Sequence, residues 1–219
     1  MNDVYVEPVD AATLILLRGD EVLMGLRNKK HIFMPNVYVF PGGRCDPDDE
    51  LLDLDNTLSP LQVERLCNST SASRANVLGL TAIRETFEET GLIVGYPGST
   101  KTTEVPGWQD FYAQGFVPAL DRLQYFARAI TPEGSPRRFD ARFFTVDATV
   151  AHGSLRSNGE LLDLQWIELE KTGELELPTV TSLVLELLKR KARGNPQEAL
   201  EVAQDFESRY GREVFEYHI

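Results

Sequence analysis

Positive charge is what this chain has least of. Twenty-two Lys and Arg stand against 34 Asp and Glu, leaving a net charge of −12. That deficit argues against nonspecific binding to nucleic acid or to an anionic membrane, which both need clustered cations. A small phosphorylated ligand stays open, because a metal ion can supply positive charge locally. Cysteine is scarce too: Cys45 and Cys67 sit at no metal-ligand spacing and read as free thiols, not as a disulfide framework. No apolar run approaches the ~20 residues of a membrane span, and the N-terminus lacks a basic region followed by an apolar stretch. The expectation is a soluble, cytoplasmic protein. Internal repeats and long linkers are also missing, so 219 residues with 42% hydrophobic content are expected to form one domain over 1–219.

The stretch that stands out is Arg84-Glu85-Thr86-Phe87-Glu88-Glu89-Thr90-Gly91-Leu92. On a helix, Glu85, Glu88 and Glu89 fall at i, i+3 and i+4 and share one face, while Leu80, Ile83 and Phe87 form a core-facing stripe opposite. Like charges so placed cost a few tenths of a kcal/mol, and a cation reverses the sign. Hard divalent ions such as Mg²⁺ favour oxygen ligands, usually one or two carboxylates with water and substrate phosphate. Arg84, four residues before Glu88, can orient or partly neutralise a carboxylate. Gly91 suits a left-handed helix end. A plain solvated acidic face is the commoner meaning of a Glu cluster in so acidic a chain.

Together with Phe40-Pro41-Gly42-Gly43 upstream, this string resembles the signature of the Nudix hydrolases: Gly-x5-Glu-x7-Arg-Glu-hydrophobic-x-Glu-Glu-x-Gly-hydrophobic. Arg84, Glu85, Glu88, Glu89, Gly91 and Leu92 fit its second half; Thr86 stands where an aliphatic residue is usual. The first half departs from the pattern. Counting from Gly43, the first Glu falls on Asp49, with Glu50 beside it, and about 27 extra residues separate that point from Arg84. The resemblance implies an α/β fold of the Nudix type, an α/β/α sandwich with a mixed sheet and a catalytic loop-helix-loop, here with an insertion over 44–72 inside the box. It implies a metal, Mg²⁺ or Mn²⁺, held by Glu85, Glu88 and Glu89 with a backbone carbonyl from Gly42 or Gly43. It also implies water-driven cleavage of a nucleoside diphosphate linked to another moiety.

Along the chain, Ala11–Leu17 and Glu21–Arg27 read as a hairpin over Gly19-Asp20. Residues 28–36, with His31, read as a loop, and Val37–Phe40 as a strand entering a Pro-Gly-Gly turn. Within the interruption, Ser59-Pro60 followed by Leu61, Val63 and Leu66 reads as a capped, amphipathic helix covering one side of the site. Ser71 or Ser73 is expected to cap the main helix. Ile93-Val94, Leu123–Ile130 and Phe139–Val146 read as strands, Trp108–Gln114 as a short helix, and 147–159 as a polar loop whose His152 is expected to be uninvolved. Glu160, on a loop before the strand Leu161–Ile167 and six residues ahead of Trp166, has the spacing of a loop Glu that serves many Nudix proteins as metal ligand or general base. An exposed residue after a Gly turn explains it equally. Pro178–Lys191 and Pro196–Tyr210 read as terminal helices, the second a charged extension (196–219) suited to a homodimer interface or to capping the fold.

The interrupted box, Met34-Pro35 and Pro136-Arg137-Arg138-Phe139-Asp140 resemble the peroxisomal coenzyme A diphosphatase branch and its bacterial relatives, although Met34 and Asn36 stand where His and Gly are usual. Coenzyme A or its thioesters is then the first expected substrate, gripped by Arg27, Arg44, Arg137 and Arg138; ADP-ribose or a dinucleotide is the second. A Nudix domain that only senses its ligand is the contrasting class. The intact Arg-Glu-x-x-Glu-Glu core and the lack of a basic helix-turn-helix segment speak for an enzyme.

Overall fold

A computed structural model describes residues 6–29, 35–210 and 215–218; His31 and Met34 lie outside the described residues. The expected hairpin is present as β1 (Val9–Arg18) and β2 (Glu21–Arg27). Alternation along β1 sends Ala12, Leu14 and Leu16 to one face and Ile15 to the other, and all four are buried because both faces of the sheet are covered. After β3 (Tyr38–Val39) and β4 (Gly42–Arg44) come α1 (Pro60–Leu66) and the long α2 (Ala72–Thr90). Then follow β5 (Ile93–Pro97), α3 (Gln109–Ala113), β6 (Phe116–Pro118), β7 (Gln124–Ile130), β8 (Phe139–Asp147), β9 (Ala151–His152), β10 (Leu161–Glu168), α4 (Thr179–Ala192), α5 (Pro196–Tyr210) and β11 (Phe215–Tyr217).

The main sheet runs β10-β2-β1-β8-β7-β11, with β3 added to β2 and β4 to β1. It is mixed, since β1 and β8 are parallel and the other pairs antiparallel. Helices α1, α2 and α3 pack on one face, around Leu14, Leu78 and Phe111; α4 and α5 pack on the other, around Ile15, Val184 and Ala199. The expected α/β/α sandwich with a mixed sheet is the fold observed.

One detail of the pairing creates the site. β1 and β2 are bonded only near their turn, at Leu17↔Val22 and Arg18↔Glu21. Beyond it they part, and β4 pairs with β1 (Ala12↔Gly43) while β3 pairs with β2 (Gly25↔Val39). The Pro-Gly-Gly stretch, expected as a tight turn, is therefore the entry to a strand wedged into the split.

Three local expectations are corrected. β5 continues through Gly95 and Tyr96 to Pro97, because β6 gives that stretch a partner. The 147–159 loop contains β9, in which His152 pairs with Ile93 and stacks its ring 4.9 Å from Phe116. The C-terminal extension is not helical throughout, since β11 joins the main sheet beside β7 and buries Phe215. A strand of three residues has no readable periodicity, and only its partner makes it one.

Candidate active site

α2 presents the carboxylates. Ser71 caps its start by accepting from the Arg74 N–H at 3.2 Å, and Gly91 ends it at φ 73°, a left-handed conformation that costs a residue with a Cβ about 1 kcal/mol or more. Between these caps the helix lies across β1 and β4, with Leu80, Ala82 and Ile83 buried beneath it. Glu85, Glu88 and Glu89 consequently emerge at the split in the sheet.

Each carboxylate has a different neighbourhood. Glu85 lies against Gly43, where a Cβ would fall 2.3 Å from the Glu85 carboxyl carbon, so only glycine allows this approach. Its Oε1 accepts from Arg84 Nη1 at 3.0 Å. Glu89 is buried beneath β4 and accepts from the Gly42 N–H at 2.9 Å. Glu88 is half-exposed and contacts Arg84 Nη1 at 3.4 Å. Burial pushes the Glu85 carboxyl up to about 7, against the pull of Arg84 and with added pressure from Glu88. Burial raises Glu88 as well, and lifts Glu89 well above the carboxylate range despite the Gly42 N–H and Arg27.

The sequence located Asp49 without revealing its role. It sits in a short 3₁₀ segment, Pro47–Leu51, capped by Asp46, and is 1% exposed. Its Oδ1 accepts from Arg84 Nε at 2.9 Å and Trp108 Nε1 at 2.8 Å; its Oδ2 accepts from Thr81 Oγ1 at 2.8 Å and Arg84 Nη2 at 3.2 Å. Five donors converge on this carboxylate when the more distant Asp46 N–H, at 3.3 Å, is included. Arg84 is thereby fixed between Asp49 and the two outer glutamates, and the Arg44 carbonyl accepts from its Nη2 at 3.3 Å. The count from Gly43 was the signal for Asp49. Nothing in the sequence marked Thr81 or Trp108.

The 44–72 segment is more than a wall. Leu52, Leu58 and Leu66 belong to the core under α2, and Gln62 accepts from the Tyr125 N–H at 2.8 Å. Cys45 and Cys67 are free thiols, as expected.

Glu160 is exposed on the loop before β10, and its charge adds a lesser share to the upward shifts of Glu85, Glu88 and Glu89. Arg27 is partly buried and its charge reaches Glu89. Arg44 is exposed on β4, at the edge of the cluster. Arg137 and Arg138 differ from the expected pair of phosphate-reaching arms. Arg137 is exposed, but Arg138 is buried and donates to the carbonyls of Thr131 (2.9 Å) and Val6 (2.8 Å), since a buried guanidinium must find acceptors. It fastens the strand end.

The glutamates are not gathered into a ready cage. Among the described residues no group of three or more His, Cys, Asp and Glu side chains stands positioned to hold a metal ion. Like charges on one helix face separate, and each takes the cationic or N–H partner within its reach. The donor chemistry still fits a hard divalent ion: all ligating atoms are oxygens, and a cation would offset the burial that chiefly raises these carboxyls and the smaller repulsion between them.

No family model matches the chain. Among curated proteins it is similar to the putative nudix hydrolase 7 of Caenorhabditis elegans, 27% identical over 171 residues that cover 72% of this chain. The chain spans about half the length of that relative (50%). Among solved structures it resembles a NUDIX hydrolase from Alicyclobacillus acidocaldarius, with a TM-score of 0.64 and 25% identity over 84% of this chain and 91% of the other. The MutT protein from Methanosarcina mazei Go1 shares the fold at a TM-score of 0.50 and 16% identity, over 84% of this chain and 96% of the other. In sequence and in fold this chain is thus similar to Nudix hydrolases, in keeping with the resemblance of its Arg84–Leu92 string to their signature.

Proposed function

We propose that this protein hydrolyses a diphosphate linkage in a nucleoside diphosphate joined to another moiety, and that coenzyme A or an acyl-CoA is the substrate. The observation that supports the hydrolytic reading is that Glu85, Glu88 and Glu89 share one face of α2 at the split in the sheet, their carboxyls raised chiefly by burial, with the charge of Glu160 adding a smaller share to each. Glu85, Glu88 and Glu89, with a carbonyl of Gly42 or Gly43, would hold Mg²⁺ or Mn²⁺. Such an ion, when bound, neutralises bridging phosphate oxygens and lowers the pKa of a water.

The chain's own residues do the rest. Arg84, fixed by Asp49, holds Glu85 and Glu88 in place and keeps part of their charge balanced. Glu160, exposed and with its charge near the cluster, takes the proton of the attacking water; a positioned base contributes ~10²–10⁴-fold. Arg27 and Arg44, flanking the carboxylates, hold phosphate oxygens through the planar guanidinium fork. With a net charge of −12 the chain does not draw anions from a distance, so local arginines must bind them. The coenzyme A reading is supported by the interrupted box and by Arg27 placed 13 residues before Phe40, a spacing that resembles coenzyme A pyrophosphatases.

The test is a panel of coenzyme A, dephospho-coenzyme A, ADP-ribose and dinucleotides, each with Mg²⁺ and with Mn²⁺, products resolved by mass. Hydrolysis of coenzyme A at the diphosphate, faster than of dephospho-coenzyme A, is expected. Faster turnover of ADP-ribose would overturn the substrate and leave the chemistry standing; turnover of none would overturn both.

A further inference from the structure

The glutamate proposed above as base has an unusual setting. Glu160 is exposed, carries no hydrogen bond on its carboxylate among the described residues, and its charge is felt by three other carboxylates. Repulsion and solvation both favour swinging such a residue away from the cluster. Its backbone, however, is held at every polar atom. The Glu160 N–H donates to Asn158 Oδ1 at 2.9 Å, and its carbonyl accepts from the Asn28 N–H at 2.9 Å. The carbonyl just before it, that of Gly159, accepts from the Asn28 side-chain amide at 2.8 Å. Ser157 Oγ closes the turn, accepting from the Gly159 N–H at 2.9 Å and donating to the Leu161 carbonyl.

β10 shows a matching feature. Leu161 and Leu162 pair with Arg27 and Leu26, but a bulge follows, and from Gln165↔Met24 onward the register is shifted. Asp163 occupies the bulge at φ 46°, in the left-handed region that non-glycine residues rarely enter. Its carboxylate is held there by Tyr38 Oη and by Gln165 Nε2, the latter at 3.0 Å. The first two residues of β10 are thus registered on β2 separately from the rest of the strand. A bulge at a strand end re-aims the side chains next to it.

We propose that Asn28 is a positioning residue that acts through Glu160: it grips the Gly159–Glu160 turn from the end of β2 and aims the Glu160 carboxylate at the α2 cluster. This rests on the reading of Glu160 as the base. Asn28 is suited to the task because its main chain and side chain donate to consecutive carbonyls. Alanine keeps the first bond and loses the second.

The experiment compares wild type, Asn28→Ala, Glu160→Gln and the double variant on coenzyme A and on ADP-ribose with Mg²⁺, with thermal melting as the check on folding. Asn28→Ala is expected to lower kcat about tenfold with KM within about twofold, and to add nothing in the Glu160→Gln background. Asn158→Ala, which removes the acceptor of the Glu160 N–H, is expected to show the same non-additivity. A wild-type kcat in Asn28→Ala, or an equal loss on top of Glu160→Gln, would overturn the proposal; a merely structural role predicts the second outcome. If wild type hydrolyses no compound of the panel above, the hydrolase reading fails on its own, and amide exchange decides the clamp. Exchange at Glu160 and Leu161 should then be several-fold faster in Asn28→Ala, and unchanged exchange would overturn it.

Discussion

Asp49→Ala should unbalance the whole α2 surface. The side chain is 1% exposed and accepts from Arg84 Nε and Nη2, Thr81 Oγ1 and Trp108 Nε1. Removing one partner of a buried ion pair costs ~3–5 kcal/mol, because the other charge stays behind without water or counter-ion. Arg84 keeps Glu85 and Glu88, so its share falls toward the lower end. The Trp108 donor is stranded as well, at ~1 kcal/mol or more, while Thr81 Oγ1 keeps the Val77 carbonyl at 3.0 Å, which brings the sum back to about 4 kcal/mol. In a protein of this size that corresponds to a Tm lower by about 10 °C. Urea and thermal denaturation followed by circular dichroism read the change directly. Glu50→Gln is the control: Glu50 pairs with Arg74 but its side chain is 55% exposed, and the loss should stay under about 1 kcal/mol. A cost for Asp49→Ala as small as that of Glu50→Gln would refute the reading of Asp49 as the buried carboxylate that fixes Arg84.

Other outcomes follow from the same geometry. Glu85 has its folded-state pKa raised to about 7, so the fold favours the protonated form; that stability is full below about 4.5 and is lost as pH rises through 7. Glu85→Gln should therefore stabilise the metal-free protein by about 1–3 kcal/mol at pH 8, and the gain should vanish near pH 4.5 in paired urea titrations. Replacing 46–70 with a short Gly-containing loop removes Asp49, Leu52, Leu58 and Leu66, so cooperative unfolding should be lost, not merely substrate selectivity broadened. Phe215→Ala, which empties a site 1% exposed against β7 and α5, should cost ~3–5 kcal/mol in chemical denaturation.

What the sequence made legible is local. Helix α2 announced itself through its apolar stripe, its Ser cap and Gly91, and the hairpin through alternation across a Gly-Asp turn. The placement of Gly43 against Glu85 was not legible, because it depends on β1 and β2 parting so that β4 can enter, a pairing between distant segments. Asp49 was found by counting but not understood: its partners Thr81, Arg84 and Trp108 come from elements 32 to 59 residues away. Arg138 misled because an arginine beside a strand end looks the same whether it reaches a ligand or two backbone carbonyls. β11 was missed for a simpler reason, since three residues carry no pattern.

The central claim is that carboxylates of α2 perform metal-dependent diphosphate hydrolysis. Its most direct measurement is kcat for coenzyme A and ADP-ribose with Mg²⁺ or Mn²⁺ in wild type, Glu88→Gln and Glu89→Gln, each confirmed folded by circular dichroism. The account predicts cleavage at the diphosphate that stops on chelation and falls by well over ~10-fold in each variant. Variants that match wild type, or turnover that persists with excess chelator, would contradict it.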